Sequence, residues 1–367
     1  MGISRKEALN CLRSDDLIGV GMEADTVRRR LHPEGVVSYA IECSIDCATV
    51  MGGGTVEGNQ SANASLDGLC DAIRETIDLG STGVRLAGSL GSNFKDSSIE
   101  WLEGLLRGIR QRFPSLWIEG LSPAEIVALS GGSGLDLRQM IARLRDAGLD
   151  SIASDDAASL DAAVSLVNRI ARPTCTLAQW IAVHRAAHSL GMRTVATMHF
   201  DAGEAGAGES VDQPVDFLEA VHQLQEETGG FTAFIPRSLP SRNAAGLWDE
   251  PTAVEQLKTL ATARVFLDNI QNIQLNGATQ GLKVLQTGLR FGANDAGSIM
   301  PLGIGAKPVG GAISGNGLMS DNGANVGGGK NAAATNHPSE EDLRRIIRDA
   351  GFQPAQRDAA YRMMFLN

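Results

Sequence analysis

From about residue 37 the chain alternates short β-branched runs with longer stretches of helical period, and nothing else in it narrows the fold so far. The strand candidates are 37–43, 83–89, 116–122, 150–154, 193–200, 231–238 and 272–277. Between them lie segments with one apolar face, among them LDGLCDAIRETIDLG, IEWLEGLLRGIRQRF and LAQWIAVHRAAHSLG. Strands spaced by helices of that length need crossover connections, which predicts an α/β protein with a parallel sheet. So many units in succession favour a TIM-like (βα) barrel, full or partial, over a doubly wound sheet, which remains the alternative.

The expected organisation is an N-terminal helical segment over 1–36, a βα barrel over 37–302, a Gly-rich flexible loop over 303–335 and a C-terminal helical extension over 336–367. The loop holds too little apolar content to pack. Ser339 and the acidic residues after it predict the start of the last helix. A net charge of -11 gives no basic footprint for phosphate backbones, so nucleic acid and anionic membranes are not expected partners. No apolar run is long enough to span a bilayer, and MGISRKEALN lacks the apolar core of a signal peptide; the expectation is a cytoplasmic protein with a small-molecule ligand or a protein partner.

Five cysteines, Cys11, Cys43, Cys47, Cys70 and Cys175, argue for a reducing compartment and against a disulfide framework. Only Cys43 and Cys47 are close, and as a C-x3-C pair without a third thiol or a nearby His they make an incomplete metal site. Strand ends carry the other candidates. His199, Asp201 and Glu204 follow one strand and suit acid, base or metal-ligand roles, against the alternative of a solvated loop. Of the neighbours Asp155 and Asp156 only one can face a site. The run Met51-Gly52-Gly53-Gly54 lacks the Lys of a phosphate loop, and a turn is the better reading. His184 and His188 share a helix face without the Glu or Cys that zinc sites add, so a packed or exposed pair on the exterior is favoured.

The segments RRRLHPEGVVSY, QLQEETGGFTAFIP, ARVFLDNIQNIQ, FGANDAGSIM and AGFQPAQRD resemble the radical-SAM enzymes of the futalosine route to menaquinone. The likeness is nearest to cyclic dehypoxanthine futalosine synthase and extends to aminofutalosine synthase and the deazaflavin synthase subunit. It implies a barrel that binds S-adenosylmethionine, with a 4Fe–4S cluster on a C-x3-C-x2-C turn after the first strand. Carried across without gaps from His32-Pro33-Glu34-Gly35, the three ligand positions fall on Met51, Thr55 and Gly58. Using Cys43 and Cys47 instead puts the third on Val50. The glycine pair of the SAM site reads Gly88-Ser89, the stretch after AGLDSI reads Ala153 to Ala158, and the expected Trp residues stand as Arg237 and Gly277.

The resemblance thus implies a family barrel that has lost its cluster motif: a pseudoenzyme, or an accessory or ligand-binding protein, with a true radical-SAM homologue as a candidate partner. The alternatives are an enzyme with cluster-independent chemistry and an atypical cyclase. No cofactor of its own is expected. Gly88, Ser89, Asp155 and Glu119 are the remnant SAM or new ligand contacts, with Arg237, Asn276, Asn294 and Asp295 on the substrate side.

Overall fold

A computed structural model describes residues 2–46, 66–87, 99–154, 175–201, 212–239, 241–242, 248–249, 251–299 and 338–366. The strands in chain order are β1 (Val36–Ile41), β2 (Cys43–Asp46), β3 (Gly83–Ala87), β4 (Trp117–Gly120), β5 (Ser151–Ile152), β6 (Thr194–Asp201) and β7 (Phe231–Leu239). There follow β8 (Ser241–Arg242), β9 (Trp248–Asp249), β10 (Asn272–Ile273), β11 (Asp295–Ile299), β12 (Gln353–Arg357) and β13 (Met363–Leu366).

Helices begin where the sequence offers reciprocal caps. Ser4 with Glu7, Ser122 with Glu125, Asp136 with Gln139, Thr176 with Gln179 and Thr252 with Glu255 each close a capping box. Ser339 accepts from the Asp342 amide at the start of Glu340–Asp349.

Three parallel runs carry the sheet: β2-β3-β4-β5, β6-β7-β10 and β11-β1-β12, the last with β13 added antiparallel. The parallel bridge Gln274 to Asp295 joins the second run to the third, and Glu42 alone separates β1 from β2. Within β2-β3-β4-β5 and β6-β7-β10 neighbours follow chain order, while β1 lies between β11 and β12. Among the described residues no ladder joins β5 to β6. Every residue of β1 is buried, as in a parallel strand covered on both faces.

Two apolar clusters form the core. One joins β1, β6, β7 and the helices Asp212–Thr228 and Ala253–Phe266; the other packs β2 to β5 under the helices Leu66–Asp78, Ile99–Arg112 and Leu137–Ala147. The N-terminal helices Arg5–Arg13 and Leu17–Leu31 both lie against Ala253–Phe266.

The sequence reading of 336–367 as a helical extension needs correction. After Glu340–Asp349 the chain turns into β12, which runs along β1 with Gln353 opposite Val36 and Gln356 opposite Tyr39. The run QPAQR carries no apolar alternation, and Pro354 reads as a breaker. It fits because β13 pairs only with Ala355–Arg357, which leaves Pro354 outside that ladder. The Gly-rich segment 303–335 lies outside the described residues.

Beyond β12 the strap Asp358–Arg362 crosses under β3 and β4. The Ala359 amide donates to Thr82 Oγ1 at 3.1 Å. A Cβ on Gly83 would stand 2.6 Å from Ala359 Cβ and 3.2 Å from Trp117 Cβ, so only glycine lets the strap approach. Gly83→Ala is expected to cost about 1–3 kcal/mol through overpacking. A urea unfolding midpoint equal to wild type would show that the strap does not press there.

Candidate functional site

The strands line a pocket that polar and charged side chains share with a few apolar ones. Side chains from β3 to β7, β11, the β1–β2 junction, the β10 segment and the C-terminal strap all face it. Arg85, Glu119, Ser154, Thr197, Arg237, Asn276, Gln280 and Ser298 line its upper part. Trp117, Ser151, Arg193, Thr232 and Ala359 to Tyr361 line the end near the strand starts. Parity along each strand sets this division: Arg85 and Glu119 point inward while Val84, Leu86 and Ile118 join the outer core.

Two ionic groups organise the cavity. Arg85 Nε donates to Glu119 Oε1 at 2.9 Å, its Nη2 reaches Ser154 Oγ at 3.3 Å, and the Ser154 amide donates to Glu119 at 3.1 Å. Lower down, Arg357 is buried against Asp295, donating from Nε at 2.5 Å and from Nη2 at 3.1 Å. Its Nη1 meets Glu42 at 3.3 Å, its Nη2 meets Gln274 at 3.3 Å, and it stacks 3.8 Å from the Tyr361 ring centroid. Burial works against the Arg357 charge, but Asp295, Tyr361 and Glu42 outweigh it and its pKa is raised. Burial also pushes the Tyr361 phenol up, keeping it a neutral donor to Gln274 Oε1 at 2.6 Å.

The sequence-predicted residues divide. Glu119, Arg237 and Asn276 line the cavity. His199 lies on β6, opposite Arg237 of β7, and Asp201 ends β6. Glu204, Gly88, Ser89 and Asp155 lie outside the described residues, as do Met51, Thr55 and Gly58.

Asn294 and Asp295, expected on the substrate side, are buried in hydrogen-bonded pairs. Asn294 Oδ1 accepts from Arg264 Nη2 at 2.8 Å and from the Ile273 amide at 2.9 Å, and its Nδ2 donates to Asn272. Asp295 is fully buried on Arg357, Ser38 and the Gly297 amide. Their burial as hydrogen-bonded pairs turns them from the cavity to the frame that supports it. The residues that sequence reasoning missed are Glu42, Arg85, Thr197, Arg357 and Tyr361. For Arg357 a signal existed, since AGFQPAQRD was one of the segments carrying the resemblance.

Cys43 is buried in the apolar shell with Ile45, Leu69, Ile73 and Val84, outside the cavity. Burial raises its thiol to about 11, against the thiolate that a metal requires. Cys47 lies outside the described residues.

Residues 228–313 match the family model described as the CofH/MqnC C-terminal region. The chain is 30% identical to a cyclic dehypoxanthine futalosine synthase of Halalkalibacterium halodurans, over 99% of this chain and 91% of that one. It is 29% identical to an aminodeoxyfutalosine synthase of Thermus thermophilus, over 79% of this chain and 71% of that one. Among solved structures, the FeFe-hydrogenase maturase HydG of Carboxydothermus hydrogenoformans superposes with a TM-score of 0.61, at 14% identity over 98% of this chain and 78% of that one. That likeness concerns the fold, a TIM-like α/β fold of the radical-SAM type.

The relatives overturn one expectation, that of no cofactor. A chain 30% identical over nearly its whole length to a futalosine synthase stands among enzymes that use a 4Fe–4S cluster and S-adenosylmethionine. What this chain's own thiols offer is a separate matter. A cluster gripped by three thiolates does not fit them, because Cys43 faces the shell as a thiol and the sequence contains no C-x3-C-x2-C.

Proposed function

From the premise that the chain belongs to the family of the cyclic dehypoxanthine futalosine synthases, we propose that it is a ligand-binding accessory member or pseudoenzyme, which does not run the family's radical chemistry. Its place is the cytoplasm, its ligand a small molecule in the central cavity, and its protein partner a radical-SAM homologue. The strands close as one barrel over 37–302, with β5 abutting β6.

The observation that carries this reading is the C-x3-C pair whose first member, Cys43, opens β2. The pair is short of a third thiolate, and Cys43 is buried away from the cavity. The polar cavity persists beside it, with the Arg85–Glu119 pair and the Arg357 network holding side chains in fixed places.

The test is anaerobic reconstitution with iron and sulfide, followed by dithionite and S-adenosylmethionine, with 5′-deoxyadenosine measured by chromatography. The expected result is no 5′-deoxyadenosine above a no-protein control. Its accumulation over many turnovers would identify an atypical cyclase and end the accessory reading. Cluster-independent catalysis is favoured by one observation, the carboxylates Glu42 and Glu119 facing a single cavity. Turnover of a cavity ligand, abolished by Glu42→Gln with Glu119→Gln, would establish it.

A further inference from the structure

The end of the cavity near the strand starts lies opposite the face where parallel barrels carry their chemistry. Arg193 lines it from the position just before β6, and Thr232 lines it from the start of β7, the neighbouring strand. A register shift brings Thr232 there. Thr194 pairs with Phe231 and Val195 with Ala233, so β7 carries one more residue than β6 over this step. Ile235 and Arg237 face the cavity while Phe234 joins the outer core, and strict alternation would send Thr232 outward with Phe234. The extra residue turns it inward, as bulges do at the rims of barrels and beside sites.

The carboxylates around this end already have their cations. Glu119 is held by Arg85, and Glu42 by Arg357, which also holds Asp295. Asp150, next to Ser151, is held by Arg110, and Asp358 of the strap by Arg362. At the upper end Arg237 has interactions of its own. Arg193 forms no ion pair among the described residues; its Nη1 donates to the neutral Gly229 carbonyl at 2.5 Å. With Arg357 and Asp295 behind the lining included, four guanidiniums stand against three carboxylates, an excess of one positive charge.

Resting on the reading of the cavity as a ligand site, we propose that its strand-start end is a subsite for a small hydroxy acid, with the carboxylate on Arg193 and a hydroxyl on Thr232. Arg193 keeps its Nε and Nη2 hydrogens for a carboxylate, the fork geometry in which guanidinium and carboxylate bind best. Thr232 Oγ1 donates to the Thr194 carbonyl at 3.1 Å, so its oxygen is left to accept from a ligand O–H. One surplus positive charge balances a carboxylate, whereas a phosphate monoester brings about two negative charges.

The probes are D-gluconate, D-gluconamide, which keeps the hydroxyls without the charge, and hexanoate, which keeps the charge without the hydroxyls. Each is titrated against the full chain by saturation-transfer NMR. Gluconate is expected to bind tighter than either of the others by about fivefold or more. Arg193→Gln should bring gluconate to the level of gluconamide, and Arg193→Lys should keep part of the preference, since it keeps the charge but not the fork. Thr232→Val should narrow the margin of gluconate over hexanoate by about threefold. A thermal midpoint like that of wild type shows that each variant is folded. Gluconate bound no tighter than gluconamide, a preference that survives Arg193→Gln, or a wild-type margin over hexanoate in Thr232→Val overturns the proposal. A chain that cleaves S-adenosylmethionine yet prefers gluconate as described ends the accessory reading and leaves this subsite standing. A chain that forms no 5′-deoxyadenosine and shows no preference ends the subsite alone.

Discussion

Arg357→Met is expected to lower the unfolding free energy by about 3–5 kcal/mol, the largest effect of any single substitution near the cavity. The guanidinium is 2% exposed and Asp295 is fully buried, so the substitution leaves a carboxylate in a low-dielectric site with only Ser38 and the Gly297 amide to face. Pairing the change with Asp295→Asn should recover a large part of the loss, because no unpaired buried charge then remains. Urea unfolding at pH 7 of the wild type, the two single variants and the double variant measures the coupling. A cost below about 1 kcal/mol for Arg357→Met would mean that water or Glu42 compensates Asp295, and the frame role would fall with it.

That network also shows what the sequence could not convey. The alternation of β-branched runs and amphipathic segments is a local signal, and it located β1, β3, β4, β6, β7 and β10 with the helices between them. β11 escaped because DAGSI mixes Asp, Gly and Ser in the manner of a turn. It stays extended because Asp295 satisfies Arg357 some sixty residues further on. β12 escaped for the reason given by Pro354 and its polar neighbours, since its place is decided by pairing with β1 across more than three hundred residues. Propensity reports on near neighbours only, and both strands are held by distant ones.

For the site the division is similar. Glu119, Arg237 and Asn276 stand at or near strand ends and line the cavity. Asn294 and Asp295 drew notice through the family-like FGANDAGS run, yet a segment can be specific to a fold because it frames a site without entering it. Gly230 in ETGGFTAFIP is of that kind: a Cβ there would stand 2.1 Å from the His188 ring, so glycine is a packing requirement. Arg357 stood in a segment that carried the resemblance but no strand signal, so its pairing with Asp295 was not readable from local propensity.

The His188 environment leads to the second large effect, a loss of stability in mild acid. On the helix Leu177–Ser189, His184 Nδ1 and His188 Nε2 both bond Thr194 Oγ1, at 2.9 and 2.8 Å, and His188 Nδ1 bonds Thr228 Oγ1 at 2.7 Å. Phe231 and Trp180 pack on the rings, while Arg193, Arg185 and Glu227 are the charges nearby. Burial, aided by Arg193 against the opposing pull of Glu227, lowers His188 to about 4; burial and the neighbouring His188 hold His184 well below the ordinary range. Both rings are therefore neutral in the folded protein where the unfolded chain already takes up protons, so stability is complete above about pH 6.5 and falls as the pH drops toward 4. His188 alone accounts for a loss of about 3 kcal/mol by pH 4, and His184 adds to it in the same direction. The measurement is the urea midpoint between pH 7 and pH 4.5 for wild type and His188→Gln, which keeps a hydrogen-bonding side chain without a titrating ring. The variant should lose about one proton's worth of pH dependence; parallel curves for the two proteins would mean that His188 titrates normally in the folded state.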